Sequence, residues 1–213
     1  MSIVAGVNAD VWLSTQPAIS TSDEACTDSG DHITYTAATH TFWDDNQTMT
    51  VQNSPDGSTS WVTVTDYTFL WAIGQIVFNT ARVVNTNNHV RIHAGSYFNV
   101  TQLGSANKWA LSLKGKSTNT TSFQSSGGWE TFTPTTRGAT GSIDTWRTDG
   151  RLFAELAASE EQVMLQLFVD KANSLRWQFA ARITAVEPSS DAQGMQMQKV
   201  TFEAKKDIYY LAT

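Results

Sequence analysis

Three segments decide the fold class: VMLQLFVD (163–170), LRWQFAARITAVEP (175–188) and MQKVTFEAKK (197–206). In the second, Trp177, Phe179, Ala181 and Ile183 alternate with Gln178, Ala180, Arg182 and Thr184, the period of a strand with one buried face. Val200, Phe202 and Ala204 alternate in the same way with Thr201, Glu203 and Lys205. Ahead of them GATGSIDTW (138–146) reads as a further strand and Asp149–Ser159 as a short helix. Thr148 or Asp149 can cap that helix, and Leu152, Phe153 and Leu156 give it a narrow apolar stripe. At about three turns it needs a sheet to pack on.

Working outward, Ile3–Leu13, Ile33–Ala38, Met49–Gln52, Trp61–Thr65, His89–Val100 and Lys108–Lys114 read as strands. Tyr67–Trp71 and Gln75–Phe78 read as a hairpin reversed at Ala72-Ile73-Gly74. Ser14–His32, residues 38–53 and Thr118–Gly128 read as loops reaching out from the domain. Charged residues make up only 16% of the chain, against roughly 25% in ordinary soluble domains. Thr, Ser, Asn and Gln fill the difference, and they suit pleated surfaces and turns. The expectation is a mainly β protein, a sandwich or barrel over residues 1–213 with one flanking helix at about 149–159.

A net charge of −6 without a basic cluster argues against nucleic-acid binding, which phosphate neutralisation dominates. An acidic surface still suits a channel that DNA slides through. The single cysteine, Cys26, excludes an internal disulfide and reads as a free surface thiol. The N-terminus lacks a signal-peptide pattern, and no apolar run approaches the roughly 20 residues of a membrane span. The expectation is a soluble protein made in the cytoplasm.

Chemistry is sparse. His32, His40, His89 and His93 carry no zinc spacing. Asp44, Asp45 and the Asp23–Asp31 cluster lack the ligand spacing of a calcium loop and read as solvated acidic loops. No GxSxG or phosphate loop is present. Catalytic, cofactor-binding and metal residues are therefore assigned to none, and the chain is read as not an enzyme. Trp12, Trp61, Trp71, Trp109 and Trp177 read as core, whereas Trp43, Trp129 and Trp146 lie near turns and are candidates for exposure.

The segment 141–211 resembles the C-terminal half of the major tail, or tail tube, proteins of long-tailed bacteriophages. Leu152 and Leu156, Val163–Asp170, Phe179–Val186 and Val200–Glu203 stand in that family's order. WVTVTDYTFLWAIGQIVF (61–78) is similar to a hairpin of phage structural proteins at Asp66-Tyr67-Thr68, Gly74, Ile76 and Phe78. The ending Ala204-Lys205-Lys206 departs from the family's Gly-rich close. The resemblance implies a virion protein whose copies form rings of six, stacked into a hollow tube for DNA ejection. Its partners would be itself and other tail proteins such as the tape measure, distal tail and terminator proteins, with DNA passing unbound and no membrane. Self-assembly and packing would fall on Leu152, Phe153, Leu156, Trp177, Phe179, Ile183, Val200 and Phe202. The alternatives are a carbohydrate-binding β-sandwich stacking sugars on Trp43, Trp129 or Trp146, or another tail ring component of the same fold.

Overall fold

A computed structural model describes residues 10–14, 18–56, 59–82, 89–103, 106–119, 132–146, 162–190 and 196–212, with the backbone alone at 116–119 and 132–137. All regular structure in these residues is strand. In chain order the strands are β1 (Asp10–Ser14), β2 (Ile19–Asp28), β3 (Thr34–Ala37), β4 (Thr50–Ser54), β5 (Val62–Val64), β6 (Tyr67–Leu70) and β7 (Gln75–Phe78). There follow β8 (His89–Tyr97), β9 (Val100–Gln102), β10 (Ala106–Asn119), β11 (Phe132–Trp146), β12 (Val163–Asp170), β13 (Leu175–Ser190) and β14 (Gln196–Leu211). They form two seven-stranded sheets, ordered β10-β11-β14-β13-β12-β1-β9 and β5-β4-β8-β2-β3-β7-β6. The expected helix at Asp149–Ser159, with Leu152, Phe153 and Leu156, lies outside the described residues. Among the described residues, no helix is long and apolar enough to cross a membrane.

The chain divides into two compact units, one of residues 1–103, 163–180 and 207–213, the other of 104–162 and 181–206. In the first unit, the core of the second sheet gathers Tyr35, Trp43, Val51, Phe69, Ile76, Phe78, Val90 and Ile92. Trp43 anchors it. Its ring is fully buried, its indole N–H donates to the His40 carbonyl at 2.9 Å, and Phe69 meets it edge-on at 6.0 Å. Two glycines make room. A Cβ at Gly95 would stand 3.0 Å from the Trp43 ring, and Gly74, at φ 63°, lets the β6–β7 turn pass the His40 carbonyl. A second cluster joins Phe42 and Phe98 to Met164 of β12 and Ala180 of β13. Buried Gln178 ties these layers further, donating to the Ala72 carbonyl and accepting from Gln166 at 3.1 Å. A buried amide without such partners would be costly.

The second unit contains β10, β11, the later part of β13 and most of β14. Period-2 alternation gives its sheet two unlike faces. Ala139, Ile143, Ile183, Val200 and Phe202 are buried on one; Thr140, Lys199, Glu203 and Arg182 are exposed on the other. Gly141 lies opposite Phe202, and the buried ring covers the place where a side chain would be.

Three expectations are corrected. Ser14–His32 is mostly strand, not loop: β2 pairs with β8 and β3, and ladder hydrogen bonds hold it while its short polar side chains give no apolar period. Trp43 is core, not exposed, since the corner at 41–46 folds inward. The acidic residues are not all solvated: Glu24 and Asp44 are buried, at 7% exposure each. Glu24 Oε1 accepts the backbone N–H groups of Thr39 and His40, and Asp44 accepts that of Asn46.

Candidate assembly surfaces

The residues expected to carry packing divide by position. Phe179, Ile183, Val200 and Phe202 are buried in the chain's own packing. Trp177 is partly exposed and its ring lies 4.9 Å from that of Tyr210, tilted by 50°, with Tyr210 itself half exposed. Of the tryptophans read as candidates for exposure, Trp146 stands 39% exposed, Trp43 is buried, and Trp129 lies outside the described residues.

The titratable side chains gather around β2 in separate pairs. His40 Nδ1 lies 2.7 Å from Glu24 Oε2, and its ring stacks on Tyr97 at 3.5 Å. His93 Nδ1 lies 2.8 Å from Asp23 Oδ1, which also accepts from Arg91 at 3.0 Å. His32 Nδ1 lies 2.5 Å from Asp28. Hydrogen bonding from His93, with Arg91 beside it, outweighs desolvation and holds the Asp23 carboxyl below its usual range. Asp23 also has φ 57° in mid-strand. Among the described residues, no three His, Cys, Asp or Glu are placed to hold a metal. Cys26 is free, as expected, but does not lie on the surface. It is half-buried, and desolvation, with Glu24 next, pushes its pKa to about 12, which suppresses the nucleophilic thiolate.

The sheet edges differ more than these pairs do. The edge strands β5, β6 and β9 have three or four residues each. The remaining edge strand, β10, has 14, and among the described residues nothing pairs with its outer side. A long open strand presents a row of unpaired backbone donors and acceptors, which folded proteins ordinarily cover or shorten. Along its apolar face Trp109 and Leu111 are partly exposed and Leu113 is 56% exposed. Cross-strand partners of that row are Ile143, Gly141 and Ala139. Sequence reasoning found the strand at Lys108–Lys114 but not its place at an edge. The alternation of Trp109, Leu111 and Leu113 was visible, whereas edge position depends on pairing between distant segments.

No family model and no curated protein matches the chain. Among the solved structures that resemble it are two from one kind of particle. One is a chain from the virion of a native gene transfer agent particle, at 16% identity and TM-score 0.43, covering 54% of this chain and 89% of that one. The other is from the tail of an empty gene transfer agent particle with C6 symmetry, at 13% identity and TM-score 0.42, covering 77% of this chain and 96% of that one.

Proposed function

We propose that this chain is a structural protein of a phage-type virion tail, the major tail tube subunit. Its copies assemble into rings, six to a ring, and the rings stack into a hollow tube through which DNA passes on ejection. The observation that carries the reading is β10: a 14-residue strand at the end of its sheet with a partly exposed apolar row, where the other edge strands among the described residues are short. Pairing that edge with a neighbouring copy satisfies its backbone groups and covers Leu113 in one step. The resemblance of residues 141–211 to tail tube proteins supplies the ring and tube. The other tail components named by that resemblance are its partners, and DNA is a passenger rather than a ligand.

Negative-stain microscopy of concentrated protein tests this. Rings or tubes are expected, and compact monomers at every concentration would count against it. Trp146 keeps the carbohydrate-binding alternative open, because a 39% exposed ring can stack on a sugar. Glycan binding lost in Trp146→Ala, without tubes in the parent protein, would favour that alternative.

A further inference from the structure

Charge is divided unequally between the two units. Over their sequence ranges the first unit carries eleven Asp and Glu against four Lys and Arg, and the second nine against ten. The first unit is therefore at −7 and the second at +1, which together make the net of −6.

Register then concentrates each sign. On the polar face of the second unit, Lys108, Asp144 and Lys199 stand in one cross-strand row. The next rows are Ala110, Ser142 and Thr201, then Ser112, Thr140 and Glu203, with Lys114 one step further on β10. Lys108, Lys114, Lys199 and Arg182 are all exposed, and the small side chains between them line a shallow trough that Lys199 borders.

In the first unit, Asp28 ends β2, Asp31 lies in the β2–β3 turn, Asp56 in the β4–β5 turn, and Asp66 at the entry to β6. Cys26 and Ser54 pair beside the start of β8, while Thr34 and Tyr67 pair beside the end of β7. All four aspartates therefore come to one end of the second sheet. Among the described residues Arg82 pairs with Asp66, and His32 lies beside Asp28. Four carboxylates against Arg82 give this end an acidic character.

We propose that the basic sheet face of the second unit docks the acidic end of the first unit of another copy, an inference that rests on the self-assembly reading above. Such a contact is heterologous: two different surfaces meet, so each bound copy leaves one of each free and the association continues into a ring or filament. Charge complementarity selects this partner. A nucleic acid would instead favour an uninterrupted basic stripe, whereas Asp144 and Glu203 interleave the cations here. Mixed charges suit a protein surface that carries Arg82 among its aspartates.

The test compares wild type with Lys108→Gln/Lys114→Gln/Lys199→Gln by sedimentation over a salt series, with circular dichroism checking the fold. All three side chains are exposed, so the fold should persist. Wild-type self-association should weaken about tenfold or more from roughly 50 mM to 500 mM NaCl, as the Debye length shortens. At low salt the variant should already associate that weakly, with a flattened salt dependence. If wild type forms tubes and the variant forms them equally well at every salt, this proposal falls and the tube reading stands. A wild type that stays monomeric throughout overturns both. Salt-sensitive binding of a DNA duplex by wild type, lost in the variant while self-association is unchanged, would give the face to nucleic acid instead.

Discussion

Gly141→Ala places a methyl group where the fold has left none. A Cβ at Gly141 would stand 2.3 Å from the Ala110 carbonyl oxygen on β10 and 2.3 and 2.8 Å from two ring carbons of Phe202 on β14. Real contacts of that kind do not fall below about 3 Å, so something must shift by several tenths of an ångström. The ring belongs to a fully buried phenylalanine and the oxygen to the backbone of a paired strand, so neither yields freely. Overpacking of this sort costs about 1–3 kcal/mol. Against it stands a gain of about 0.4–1 kcal/mol from a stiffer unfolded chain. The net expectation is destabilisation by roughly 1–2 kcal/mol, seen as a fall in Tm of about 2–8 °C for a chain of this length. Thermal and urea unfolding of Gly141→Ala measure it. Gly138→Ala is the control, because a Cβ there meets nothing within 4 Å. It should be neutral or slightly stabilising. If Gly141→Ala matches wild type or exceeds it, the placement of Phe202 over Gly141 is wrong, and with it the register that puts β10 at the edge.

Trp43→Ala should cost about 3–5 kcal/mol, as large aromatic truncations in a packed core do, and Trp43→Phe clearly less; chemical denaturation separates them. Acid should also weaken the fold. Backbone N–H groups of Thr34 and Ile33 hold Asp31 below the usual carboxylate range, and the hydrogen bond from Arg82 does the same for Asp66. Each group contributes stability above its unfolded value of about 3.9 and loses it as pH falls through the lower folded value. Denaturation midpoints should therefore drop below about pH 4, less steeply in Asp66→Asn; an unchanged slope in that variant would show that the Arg82 pair adds nothing. Cys26, with its pKa near 12, should react with a thiol reagent at pH 8 only slowly until the chain is unfolded. Labelling at the rate of a free thiol in the native protein would contradict its half-buried setting.

What the sequence made legible follows from which forces leave a period. VMLQLFVD (163–170) and the alternating run from Trp177 are strands because an apolar face must be buried, and that need is written residue by residue. Tyr67–Leu70 and Gln75–Phe78 form the expected hairpin, in register from Tyr67 with Phe78 to Leu70 with Gln75, around Gly74 at positive φ. Strand β2 was hidden because Ser20, Thr21, Ser22 and Asp23 carry no apolar signal, and its place between β8 and β3 is fixed by backbone pairing. Trp43 was misplaced for a related reason. Local turn residues such as Asp44 and Asn46 spoke for exposure, while the glycines that admit its ring, Gly74 and Gly95, lie 31 and 52 residues further along the chain. The edge position of β10 and the opposed charge surfaces are also products of long-range pairing, so no local window contains them.

The most direct test of the central claim is hydrogen exchange of the backbone amides of Ala106–Asn119, compared between dilute and concentrated protein. If β10 is the edge through which copies join, its outward N–H groups exchange freely in the monomer and become protected on association. Leu113, on the same strand, would lose its exposure with them. Association that protects other segments and leaves Ala106–Asn119 unchanged would contradict the account.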